Sequence, residues 1–350
     1  MKDGIERMTK TNAGRFFEDY TIGQVIEHAV PRTVGQGERA LYHALYPARH
    51  ALYSSDAFAQ SCGLAASPLD DLAAFHVVFG KTVPDVSLNA RANLGYAEGR
   101  WLKPVWPGDT LRSTSEVIGL KQNSNGKTGV VWVRTRGYNQ KDECVLDYVR
   151  WVMVKKRDLE AKAPETVVPD LKSALDVSDL VIPEGLDFTN YDFTLAGEPH
   201  RWGDYEVGEV IDHVDGVTVE EAEHMMATRL WQNTSKVHFD GTQREDGKRL
   251  IYGGHVISMA RTLSFNGLAN AQMIAGLNAG AHANPCFSGD TIRAWTEVLD
   301  KAETGAPGVG ALRLRLVATK SGEAGQLKGD GGKYLPGVLL DLDYWALIPV

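Results

Sequence analysis

The sequence predicts an α+β fold built from two tandem copies of one unit, on three observations. A segment near the start, DYTIGQVIEH from Asp19 to His28, returns as DYEVGEVIDH from Asp204 to His213. Six of its ten positions are identical at an offset of 185. A later segment, PVWPGDTLRSTSEV from Pro104 to Val117, returns as PCFSGDTIRAWTEV from Pro285 to Val298 at an offset of 181. Each half also carries one strongly apolar helical stretch beside several β-branched, partly alternating runs. A length of 350 residues suits two units.

In chain order, residues 1–15 are polar and read as a flexible leader without the apolar core of a signal peptide. The first unit is expected over residues 16–157. Its apolar helix is Leu72 to Phe79, and its strands include Gly129 to Arg136 and Val145 to Val154. Asn123-Ser124-Asn125-Gly126 is a hairpin turn signal, because Asn-Gly tolerates positive φ. Gly137 to Asp142 reads as a second turn. Residues 158–200 contain four prolines and no sustained periodicity, so they read as a connector.

The second unit is expected over residues 201–350. Its helix is His255 to Leu268, apolar almost all round, and its last strand contains Leu339 to Trp345. Gly322 to Gly337, with six glycines, reads as a long hairpin loop. A helix apolar on most faces is one that a sheet wraps. One such helix in a curved antiparallel sheet is the hot-dog arrangement, and two copies in one chain make a double hot dog.

Composition narrows the function. A net charge of −8, with no basic run longer than Lys155-Lys156-Arg157, argues against nucleic acid as the main partner. No apolar run is long enough to span a bilayer. Three widely spaced cysteines, Cys62, Cys144 and Cys286, fit a reducing compartment and hence the cytoplasm. The histidines and cysteines show no metal-ligand spacing, and neither G-x-G-x-x-G nor a P-loop signature is present. No metal or other cofactor is therefore expected.

The two copies differ where chemistry would sit. At offset 185, Tyr46 to Ser55 aligns with Trp231 to Asp240, so His238 faces Tyr53 and Asp240 faces Ser55. Only the second copy has an imidazole beside a carboxylate. The second helix opens on Gly253-Gly254-His255, and aligning its Gly-His-Val-Ile with Phe-His-Val-Val sets Gly254 against Phe75.

On these residues the second copy resembles the hydratase motif of the MaoC-like (R)-specific enoyl-CoA hydratases, roughly G-D-x-N-P-x-H followed by x-D and a glycine-opened helix. The resemblance places the family's histidine on His238, the trailing aspartate on Asp240 and the helix glycine on Gly254. The family's catalytic aspartate falls on Asn233, and its Asn-Pro on Ser235-Lys236. The entry FFEDYTIGQVIEHAVPRTV, Phe16 to Val34, with Leu45-Tyr46 and Arg49, is similar to the narrower mesaconyl-CoA hydratase branch, also called β-methylmalyl-CoA dehydratases. That resemblance implies reversible hydration of mesaconyl-CoA, with coenzyme A as part of the substrate.

The implied chemistry needs a base for water, an acid for the α-carbon and stabilisation of an enolate oxygen. His238 suits the proton work, and the Gly254 N–H suits the oxyanion, with Gly253 also at the substrate. Asn233 cannot be a base but can orient water. Either His238 works with Asp240, or the substrate's own carboxylate makes a second enzyme carboxylate unfavourable there. Asp240 also fits a purely structural role. Arg49 or Lys236 could meet the substrate carboxylate, and Arg91, Arg100 and Lys103 could hold the coenzyme A phosphates. Glu245 and Asp246 are outside candidates in a loop. The rival functions are a hydratase for unsubstituted enoyl-CoA chains, a thioesterase and a non-catalytic acyl-CoA-binding module. A homodimer is expected, because hot-dog units commonly pair further.

Overall fold

The structure, a computed structural model, describes residues 10–350. Most of the leader expected over residues 1–15 lies outside the described residues. Its end is held on the first unit: the Asn89 amide donates to the carbonyls of Ala13 and Arg15 at 2.9 and 3.1 Å.

The first half supplies β1 (Val25–Thr33), β2 (Ala90–Trp101), β3 (Thr110–Gln122), β4 (Thr128–Tyr138) and β5 (Cys144–Lys155). The second supplies β6 (Val210–Thr218), β7 (Met273–His282), β8 (Thr291–Glu303), β9 (Val309–Thr319) and β10 (Val338–Pro349). All ten form one sheet in the order β1-β3-β4-β5-β2-β7-β10-β9-β8-β6. That order is a palindrome under the exchange of copies. The halves join where β2 pairs antiparallel with β7, Tyr96 opposite Gly280 and Arg100 opposite Gly276. The chain is a double hot dog of class α+β.

The repeated motifs make repeated contacts. Asp19 accepts from the Phe16 N–H at 2.8 Å and Asp204 from the Arg201 N–H at 2.9 Å. Gly23 and Gly208, both at positive φ, donate to the carbonyls of Val117 and Val298 at 2.9 and 2.8 Å. His28 bonds Ser115 at 2.8 Å, and its repeat His213 bonds Thr296 at 2.7 Å. The aspartate pair fixes the entry turn of each unit, and the glycine and histidine pairs tie that entry segment to the P-x-x-x-G-D-T strand, so both repeated motifs serve one repeated junction.

Each unit wraps one helix. The first central helix is Asp71–Thr82, and every one of its residues is buried. The second is Gly253–Leu263, and every residue except Gly253 is buried. It begins two residues before the stretch expected from periodicity and ends five residues earlier. A separate turn at Phe265–Leu268 follows, where Gly267 adopts φ 98°. The Asn123–Gly126 turn closes the β3–β4 hairpin, with Gly126 at φ 64°. Residues 158–200 run mostly without regular structure, but Leu186, Phe188 and Tyr191 anchor them in a buried apolar cluster. Among the described residues, no helix is long and apolar enough to cross a membrane.

Candidate active site

A cleft of about 290 Å³ opens between the two units. Phe79, Val83 and, on β2, residues 90–93 and Tyr96 line it from the first copy. Asn233, Ser235, Val237, His238, residues 250–253 and the 282–286 segment line it from the second. Among the described residues, its charged lining residues are Arg91 and Arg150, and no Asp or Glu lines it.

His238 sits on a single helical turn, Lys236–Phe239. Its Nδ1 lies 2.7 Å from the Leu250 carbonyl oxygen, and the Leu250 N–H donates to the Val237 carbonyl at 3.0 Å. A carbonyl only accepts, so Nδ1 carries the proton and Nε2 is left as a lone pair. Burial pushes the imidazole down to about 4, against the opposing pull of the Leu250 carbonyl. At neutral pH it is therefore an uncharged base.

Asn233 is buried just after Gln232, which takes φ 56° to turn the chain. Its Oδ1 accepts from the Ser235 N–H at 3.2 Å, which leaves its NH2 without a partner among the described residues. It lines the cleft with His238.

The starts of the two central helices contrast. Asp70 caps the first, accepting from the Leu72 N–H at 2.9 Å. Tyr252 precedes the second and offers no side-chain cap. Among the described residues, the Gly253 and Gly254 N–H groups donate to nothing. Gly253 lines the cleft. Gly254 does not, and its lack of a side chain has a packing reason: a Cβ there would lie 2.4 Å from the Tyr252 ring and 2.6 Å from His76. The first copy's equivalent position is also filled. The Tyr53 hydroxyl, which aligns with His238, donates to Asp71, and burial pushes the Asp71 carboxyl up to about 7.

Several expected residues lie elsewhere. Asp240 does not pair with His238: its carboxylate caps a following turn, accepting from Thr242 and Gln243 at 2.7 to 2.9 Å. Arg49 lies over the Phe265 ring, 4.4 Å from its centroid, and exposed Lys236 does not line the cleft. Arg100 pairs with Asp147 at 3.3 Å, and Lys103 with Glu143 at 2.7 Å. Glu245 is exposed, and Asp246 pairs with Arg244. Arg91 does line the cleft, at its exposed rim.

Three cleft residues escaped the sequence reading. His282, at the end of β7, bonds the Tyr96 hydroxyl at 3.1 Å and is pushed down to about 4 by burial. Asn93 on β2 has neither amide atom partnered among the described residues, although both are buried. Arg150 on β5 is fully buried. The signal for Arg150 was a lone charge in the apolar run Val149-Arg150-Trp151-Val152. Among the described residues, no group of three or more His, Cys, Asp or Glu side chains is placed to hold a metal ion.

Comparison with known proteins gives consistent relatives. The family model described as mesaconyl-CoA hydratase matches residues 1–329. A mesaconyl-CoA hydratase of Cereibacter sphaeroides is 77% identical over 341 residues, covering 97% of this chain and 99% of the relative. A β-methylmalyl-CoA dehydratase of Chloroflexus aurantiacus is 59% identical over 346 residues, covering 97% and 98%. A solved structure from Chloroflexus aurantiacus, described as a MaoC domain protein dehydratase, has a TM-score of 0.95 at 58% identity, covering 97% of this chain and 99% of that one. Rv0216 of Mycobacterium tuberculosis, described as a double hot dog, has a TM-score of 0.74 at 24% identity over 95% of this chain and 98% of its own.

Proposed function

The chain belongs to the mesaconyl-CoA hydratase family, and we propose that it interconverts mesaconyl-CoA plus water with β-methylmalyl-CoA in the cleft between its two units. One observation carries the mechanism: the lone pair of His238 and the uncapped start of the second central helix share that cleft.

Water adds to the β-carbon of a conjugated thioester, and the charge that develops on the thioester oxygen needs donors. The free N–H of Gly253, which lines the cleft, supplies one, aided by the positive end of the helix dipole. Such donors are typically worth ~10²–10³ in rate each. His238, neutral at working pH, takes the proton from the attacking water. The imidazolium so formed returns it to the α-carbon, so a single group completes the proton cycle. The Asn233 amide orients the water by donating to its oxygen. This division of labour needs no second carboxylate, which fits both the asparagine at that position and the placement of Asp240 outside the cleft. It also requires no metal or redox cofactor. Arg91 at the rim is the cation nearest to hand for the coenzyme A phosphates. The proposed assembly is a cytoplasmic homodimer, with light scattering as the check on its mass.

The test is a hydration assay following loss of the conjugated enoyl absorbance. Mesaconyl-CoA is expected to be turned over faster than crotonyl-CoA. Preference for crotonyl-CoA would make the protein a hydratase of unsubstituted chains. Release of free thiol would make it a thioesterase, and binding without turnover a carrier of acyl-CoA.

A pH profile tests the role of His238. The base must be neutral, and burial lowers it to about 4. Hence kcat/KM is expected to stay flat from about pH 8 down to about pH 5.5 and to fall only as the pH nears 4. A fall centred near pH 6.5, the ordinary histidine value, would show that the working imidazole is a solvated one.

A further inference from the structure

Arg150 is a buried cation with no ion-pair partner among the described residues. It lies in β5 opposite Tyr96 of β2, at 0% exposure. Its Nη2 donates to the Thr82 hydroxyl at 2.7 Å, and that hydroxyl in turn donates to the Phe79 carbonyl at 2.7 Å. The guanidinium stacks 4.4 Å from the Phe79 ring centroid. Its Nε and Nη1 are buried and have no partner among the described residues. Three residues before Tyr96, Asn93 leaves both of its amide atoms in the same condition. All of these groups except Thr82 line the cleft that holds His238.

A guanidinium keeps its charge at any working pH, and burying it unpaired costs several kcal/mol. Proteins rarely hold such a group without an anion to meet it. Each of these unpartnered guanidinium N–H groups can give a carboxylate oxygen a charge-assisted hydrogen bond. Among the described residues, no acidic side chain lines this cleft. Any anion that pairs with Arg150 there therefore arrives with the ligand.

We propose that Arg150 and Asn93 form a carboxylate-binding subsite that selects acyl-CoA substrates carrying a free carboxylate on the β-carbon. This rests on the functional reading above. In mesaconyl-CoA the free carboxylate is attached to the carbon that water attacks. Clamping it fixes that carbon relative to His238. The subsite also rejects neutral acyl chains, because they leave the buried guanidinium unpaired. The cations expected from sequence, Arg49 and Lys236, stand outside the cleft and leave this task to Arg150.

The experiment compares mesaconyl-CoA with its neutral analogue 2-methylcrotonyl-CoA, which has a methyl group in place of the free carboxylate. It uses wild type, Arg150→Met and Asn93→Ala. For Arg150→Met, kcat/KM for mesaconyl-CoA is expected to fall by about 10²–10³-fold, the scale of removing one partner of a buried charge pair. The neutral analogue is expected to lose far less or to gain, so the ratio of the two substrates moves towards the neutral one. Asn93→Ala is expected to shift that ratio in the same direction by a smaller factor, mainly through KM. Equal losses on both substrates in a folded variant would make Arg150 structural and overturn the subsite. Should Arg150→Met fail to fold, Asn93→Ala decides, and an unchanged substrate ratio overturns the proposal. Wild type that does not hydrate mesaconyl-CoA at all would instead overturn the functional reading and the subsite with it.

Discussion

His238→Ala is expected to lower kcat for hydration by ~10²–10⁴-fold, the range for removing a positioned general acid/base. KM should change little, because a group that acts on the attacking water adds little to binding of the rest of the substrate. The substitution also removes the hydrogen bond to the Leu250 carbonyl, which helps to hold the 240–250 loop. A purely structural histidine would therefore also reduce activity, and the two roles must be separated. Added imidazole does this. The alanine variant leaves a space where a free imidazole can accept the proton, so partial rescue that rises with imidazole concentration is expected. A melting temperature near that of wild type should accompany it. The neighbouring Asp240→Asn change is the contrast. That carboxylate only caps a partly exposed turn, so the variant should keep near wild-type turnover. Near-normal activity in His238→Ala, or its loss in Asp240→Asn, would remove the basis of the site.

The duplication makes much of this legible in the sequence. Matching segments predicted two equivalent units, and the sheet order reads the same from either end. Comparing the copies then located the cleft. Tyr53 against His238 is a place where one copy is sealed with aromatic packing and the other is not, whereas the expected match of Phe75 with Gly254 fails, because Phe75 is the fifth residue of its helix and Gly254 the second. A capped helix start against an uncapped one is the physical form of that difference, with Asp70 filling in the first copy the role left open in the second.

The ligand-binding charges were not legible in this way, because they depend on register. Side chains alternate faces along a strand, so one step in β5 would turn Arg150 out to solvent, and sequence cannot fix that step. Arg49 misled for the opposite reason. It lies beside the motif in alignment, but the pseudo-symmetric packing carries it to the Phe265 ring. Asn93 and His282 come from β2 and β7, whose pairing across the centre of the sheet is a contact between halves that no local pattern announces.

That junction has a second tight point, and it yields the largest expected effect on stability. Gly80 in the first central helix packs against the backbone of Trp231 in the second unit. A Cβ there would lie 1.7 Å from the Trp231 carbonyl oxygen. Neither side can yield easily: one is a buried helix, the other the turn in which Gln232 takes φ 56°. Gly80→Ala must therefore push the backbones apart, at a cost of roughly 3 kcal/mol or more. For a chain of this size that is a fall in melting temperature of roughly 4 °C or more. The displaced turn leads directly to Asn233, so turnover should fall even where the variant remains folded. Gly37→Ala is the control, in the helix Gln36–Leu45, where a Cβ meets nothing within 4 Å. Alanine there reduces the freedom of the unfolded chain, so the variant should match or slightly exceed wild-type stability. If Gly80→Ala melts and turns over like Gly37→Ala, the two units do not meet at Trp231 as described, and the cleft between them loses its first wall.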